Sequence, residues 1–117
     1  MKKTLVLASL IATTAAFAPV SVSYADDMGL RICEYVAAND KNRLRSYLKQ
    51  KNLKLRKVFD KIQCNGDNLL VFAAKSKALE AGEFIIGKTP AKVVAKSLDE
   101  IAKHSAHLAE EAKERVN

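Results

Sequence analysis

No tryptophan occurs among the 117 residues, and there are only four glycines, two prolines and two cysteines, with aromatics at 6%. Each scarcity removes something. The glycines form no G-x-G-x-x-G, and the chain is too short for an ordinary catalytic barrel or dinucleotide fold. Two cysteines without a C-x-x-C, a C-x-x-C-H or a four-ligand spacing leave redox catalysis, haem attachment and a structural zinc without support. The serines lie in no nucleophile elbow. The two histidines, His104 and His107, sit near the chain end with no H-E-x-x-H. The expectation is a protein that is not an enzyme and needs no cofactor. What the chain does have is 49% apolar content, which excludes a disordered tail, and Lys+Arg 20 against Asp+Glu 13, a formal net charge of +7.

Lys2 and Lys3 precede an uncharged apolar run from Leu5 to Ala18 that ends in small residues, the pattern of a secretory signal peptide over residues 1–25. The run is short and alanine-rich for a membrane span. Ser23-Tyr24-Ala25 supplies the small residues for a cut after Ala25, before Asp26-Asp27. Ala16-Phe17-Ala18 has the same small-x-small form, but Pro19 would follow that cut without the N–H of an extended substrate. An uncleaved N-terminal anchor is the alternative. With cleavage, a periplasmic protein of a Gram-negative-type bacterium is expected, with no transmembrane span. In that oxidising compartment Cys33 and Cys64 are read first as a disulfide, and otherwise as two buried thiols packing as small hydrophobes.

Beyond residue 25 the periodicity is helical and no convincing strand is read, and no P-loop is read either. Leu30, Cys33, Val36 and Ala37 share one helical face, and Asp40 can cap a second helix carrying Leu44, Tyr47 and Leu48. Leu55, Val58, Phe59 and Ile62 indicate a short third helix. Cys64-Asn65-Gly66-Asp67 reads as a turn, after which Asp67 or Asn68 can cap a helix from Leu69 to Lys77. A fifth helix covers Ala81 to Ile86, stopped by Gly87, and Thr89-Pro90 starts the last one with an N-cap and a proline at the first helical position. That last helix has no internal breaker.

Residues 32–49 laid over residues 69–86 without a gap pair Ile32 with Leu69, Cys33 with Leu70, Val36 with Ala73 and Leu48 with Ile85, an offset of 37. Each copy is a helix, a polar turn and a helix, and stacking the copies would build the core. Asn65-Gly66-Asp67-Asn68-Leu69-Leu70-Val71-Phe72-Ala73-Ala74, continued to Phe84-Ile85-Ile86, resembles one ankyrin repeat, with Gly66, the paired alanines and the closing Ile85-Ile86 where that family places its equivalents. The first copy departs from it, with Asp40 in place of the glycine between helices. Ile32-Cys33-Glu34-Tyr35-Val36, residues 39–45 and residues 64–70 more closely resemble a small exported bacterial family catalogued as domain of unknown function 3718. That resemblance implies an envelope location and supplies no activity. The expected fold is all-α: two stacked ankyrin-like helix pairs over residues 26–88, plus a long C-terminal capping helix over residues 89–117.

Between Lys41 and Lys61 stand nine basic side chains and one acid, Asp60, whereas the chain from Pro90 onward is balanced. Lys41, Arg43, Arg45, Lys49, Lys51, Lys54, Arg56 and Lys57 are therefore the candidate binding residues, facing an acidic envelope protein or, as the alternative, anionic lipid or lipopolysaccharide. Nucleic acid is a poor partner, because few aromatics intersperse the charges. A solvated helix face explains the same residues without any partner. In the last helix Val94, Leu98, Ile101, Ser105, Leu108 and Ala112 form a seam suited to packing on the repeats. Beside it, Glu100, His104, His107 and Glu111 share a sector in which the two histidines are weak candidates for a divalent metal, against simple surface pairing.

Overall fold

Three of the chain's reversals use one backbone device. The computed structural model describes residues 26–117; the expected signal peptide lies outside the described residues. Helix α1 (Asp26–Ala37) ends as Asn39 enters the left-handed region at φ 56°, its N–H donating to the Val36 carbonyl and the Asp40 N–H to that of Tyr35, each at 2.9 Å. This closing pair satisfies carbonyls that the helix end would leave bare, and asparagine tolerates the conformation better than most residues. The same pair of bonds recurs at Asn52, φ 57°, after α2 (Lys41–Gln50), and at Lys77, φ 57°, after α4 (Leu69–Lys75).

The starts of α2 and α4 are capped as the sequence indicates. The Asp40 carboxylate accepts from the Arg43 N–H at 3.1 Å, and the Asn68 carboxamide oxygen from the Val71 N–H at 2.9 Å. Between α2 and α4 come a single turn, α3 (Leu55–Val58), a 3-10 turn (Phe59–Lys61), and a tight reversal. In that reversal Cys64 and Asp67 exchange both backbone bonds across Asn65 and Gly66, which both have positive φ, the two-residue geometry that Asn-Gly favours. Helix α5 (Leu79–Lys88) follows.

Equating the turns at Asn39 and Lys77 by their hydrogen bonds sets the two helix pairs 38 residues apart, one more than the gapless overlay. Ile32 then matches Leu70, Val36 matches Ala74, and Leu48 matches Ile86, all buried. Pair α1–α2 packs on pair α4–α5, α1 against α4 and α2 against α5.

The C-terminal stretch corrects the expectation of one long capping helix. It is two helices, α6 (Ala91–His104) and α7 (Ala106–Val116), hinged at Ser105 and packed along each other. Ser105 is extended (φ −155°), and its hydroxyl oxygen accepts from the Leu108 N–H at 3.1 Å, so one residue ends one helix and caps the next. The hinge lets α6 pack on α4 while α7 packs on α5, which makes a third stacked pair. Two smaller corrections sit beside it. Gly87 does not stop α5, which runs on to Lys88, and Thr89 does not cap α6: its buried hydroxyl donates back to the Ile85 carbonyl at 2.7 Å.

One continuous core joins the three pairs, with Ile32, Val36 and Leu44 in the first, Leu69, Leu70 and Ile85 in the second, and Val94, Ile101 and Leu108 in the third. Gly82 lies so close to α7 that an added Cβ would stand 2.6 Å from a Leu108 methyl. Cys33 and Cys64 are joined, Cα to Cα 5.8 Å, across 31 residues of sequence. Closing a loop of that length is worth about 3.7 kcal/mol in the chain-entropy account. The described residues form seven α-helices and no strand, and none of these helices is long and apolar enough to cross a membrane.

Candidate functional site

The left-handed turn at Asn52 folds the segment after α2 back beside it, and this places Leu53, Lys54, Leu55 and Arg56 next to Arg45, Leu48 and Lys49 of α2. The end of α5, with Phe84, Gly87 and Lys88, and then Pro90, forms the opposite wall, to which α7 adds Arg115. The result is an open groove of about 650 Å³. Six of its lining residues are cations, Arg45, Lys49, Lys54, Arg56, Lys88 and Arg115, and none is acidic. The rest of the lining is mostly apolar, from Leu48, Leu53, Leu55, Phe84 and Pro90.

Two of these cations are held in place. The Arg115 guanidinium donates from Nε and one terminal nitrogen to the Thr89 carbonyl, at 3.2 and 3.0 Å, and the Lys88 ammonium stands 5.9 Å from the centre of the Phe84 ring. Arg45, Lys49, Lys54 and Arg56 are exposed. Six like charges around one concavity produce a positive potential there that no single helix face would have.

Of the eight cations read from the sequence, four line the groove. Arg43 instead pairs with Asp40 at 3.5 Å, and Lys51 stands 5.8 Å from the centre of the Tyr47 ring. Lys41 faces a shallower depression that also holds Glu80, Glu83 and Glu111, and Lys57 is exposed outside the groove. Lys88 and Arg115 are absent from the sequence reading because they lie in charge-balanced stretches far from the basic run; the packing of α5 on α2 brings in Lys88, and the stacking of the third pair brings in Arg115.

The hinge at Ser105 also separates His104 from His107. His104 closes α6, its carbonyl accepting from the Lys77 ammonium, while Glu100 pairs with Lys103 at 3.0 Å. His107 lies on α7, and its Nε2 meets the Glu83 carboxylate of α5. The hydrogen bond to Glu83 raises the His107 pKa above its ordinary value. The two histidines thus do not converge as an ion-binding pair.

The reading that no P-loop motif occurs needs correction at the level of lettering: Gly82-Glu83-Phe84-Ile85-Ile86-Gly87-Lys88-Thr89 spells G-x-x-x-x-G-K-T, that of a phosphate-binding loop. The structure removes that meaning: Gly82 to Lys88 lie within α5, whose N–H groups are spent along the helix, and no strand precedes it among the described residues.

The family described as a protein of unknown function, DUF3718, matches residues 32–98, from within α1 to the middle of α6. The chain belongs to that family. No curated protein and no solved structure matches it, so the ankyrin likeness rests on the sequence pattern alone. The DUF3718 match covers both of the first two helix pairs and the basic segment between them, but stops before α7, which supplies Arg115 to the groove.

Proposed function

We propose that this DUF3718 protein is a non-catalytic binding module of the bacterial periplasm that holds an acidic segment of an envelope protein in its cationic groove. The observation that carries this reading is the composition of the groove: six cations and no acid around an apolar floor. Long-range attraction would steer an acidic partner to the groove, and burial of its apolar side chains against Leu53, Phe84 and Pro90 would add affinity. The lining has no carboxylate, imidazole, hydroxyl or thiol side chain, which supports binding rather than turnover. The disulfide and the signal-like N-terminal residues support export. A second reading, a peripheral binder of anionic lipid or lipopolysaccharide, is favoured by the same apolar floor beneath phosphate-matching cations.

The test uses a labelled peptide alternating Glu and Leu, with fluorescence anisotropy read at low and high salt. Charge reversal by Arg45→Glu with Arg56→Glu is expected to weaken binding more than about tenfold and to flatten its salt dependence, while Lys57→Glu, outside the groove, changes it little. Equal binding by the groove variant and the wild type would refute the reading. Sedimentation with anionic but not neutral vesicles, and no peptide affinity, would transfer the groove to the second.

A further inference from the structure

On the face where α5 meets α7, Glu83, His107 and Glu111 each offer one ligand atom, and the three atoms lie within 4.8 Å of one another. We infer that these side chains form a site for a single zinc-class divalent cation, in a depression that borders the groove and shares Arg45, Phe84 and Lys88 with it.

The placement follows from the helices. His107 and Glu111 are one turn apart on α7 and share a face, while Glu83 reaches them from α5. The two helices are held in register at both ends of this patch: Gly82 admits Leu108 against its backbone, and Arg115 is tied to Thr89. Donors carried by packed helices need little rearrangement to bind. Tetrahedral zinc, with bonds of about 2.0–2.2 Å, sets its donors about 3.4 Å apart, so small rotamer changes would draw the three atoms around one ion. The His107–Glu83 contact would open to admit the metal between its partners.

One imidazole and two carboxylates suit zinc better than calcium or magnesium, which prefer an all-oxygen shell. Three protein donors leave a fourth position for water. The ion would meet two negative charges from Glu83 and Glu111. Lys41, Arg45 and Lys88 share the depression with those carboxylates and temper the attraction, which predicts moderate affinity. His104 has no place in this group. Its carbonyl, not its ring, is engaged by Lys77.

Titration calorimetry of the disulfide-bonded chain with zinc chloride, at about neutral pH, tests the site. One ion per chain is expected. His107→Ala and Glu83→Gln should each weaken binding at least about tenfold, with His104→Ala unchanged. Cobalt, added in place of zinc, should give visible bands of a tetrahedral ion that His107→Ala abolishes. Circular dichroism confirms that each variant is folded. Absence of binding heat, loss of affinity in His104→Ala equal to that in His107→Ala, or unchanged affinity in a folded His107→Ala would each overturn the assignment.

Discussion

Asn39 does two jobs that substitution can separate. Its backbone holds φ 56° at the end of α1, and its side-chain oxygen crosses to the second pair, where it accepts from the N–H groups of Glu80 and Ala81, both at 2.9 Å. Helix α5 needs this help, because Ala78, its N-cap residue, has no side-chain acceptor. Asn39→Gly keeps the turn but removes the cap. A lost N-cap costs about 1 kcal/mol, and the added freedom of glycine in the unfolded chain about 0.5–1 more, giving about 2 kcal/mol. Asn39→Ala loses the same cap without glycine's added freedom but sets a residue poorly suited to the left-handed turn, about 1 kcal/mol more than the cap alone, for about 2 in all. Asn39→Asp retains both the acceptor and tolerance of the turn, and sets a negative charge against a helix N-terminus, so it should stay within about 0.5 kcal/mol of wild type. Urea unfolding followed by circular dichroism, with the disulfide intact, reads these differences; in melting temperature, the alanine variant should fall by roughly 8–16 °C. Native-state hydrogen exchange should show the Glu80 and Ala81 amides released in Asn39→Gly. Asn52→Gly is the control, since Asn52 has the same φ but its side chain bonds no other described residue. Wild-type stability in Asn39→Gly, or equal loss in the aspartate and alanine variants, would refute the reasoning.

Two further outcomes can be measured with the same melts. Gly82→Ala should destabilise by about 1–2 kcal/mol despite its better helix propensity, because the new methyl meets the fully packed Leu108, whereas Gly87→Ala, with nothing within 4 Å, should stabilise by about 0.5–1 kcal/mol. The Glu83 hydrogen bond raises the His107 pKa, so this pair contributes its full stability below about pH 6.5 and loses it as pH rises through the raised value. His107→Ala should therefore melt lower than wild type near about pH 6 and converge with it in alkaline buffer; a constant difference across that range would contradict the pairing.

Local chemistry was legible in the sequence at several single residues, though not at Gly87 or Thr89, which neither stop α5 nor cap α6. Asp40 and Asn68 announce helix starts because a short side-chain oxygen next to an apolar periodicity has few other uses. Asn65-Gly66 announces its reversal because both positions need positive φ. The seam through Val94, Ile101, Leu108 and Ala112 was also legible, and those residues are buried as the spacing requires. The reversal inside that seam was not. Neither glycine nor proline marks it, and the only signals were a serine, a capping residue type, at a core position and an apolar pattern long for a globular helix. The register of the repeat slipped by one for a related reason: apolar matching tolerates a shift that backbone hydrogen bonds do not. The groove was half visible. The basic run on one wall is contiguous in sequence, but Lys88 joins it only through packing of α5 on α2 and Arg115 only through packing of the third pair, interactions with no local signature.

The covalent tie between Cys33 and Cys64 encloses the whole of α2 and α3, and with them four of the groove's six cations. While the sulfurs remain apart, that bank of the groove is a long excursion anchored by packing alone, whereas Lys88 and Arg115 sit on a half of the molecule that the cross-link does not touch. Oxidation thus acts on one bank of the groove only, shortening the free loop that carries four of its cations and leaving the other two untouched.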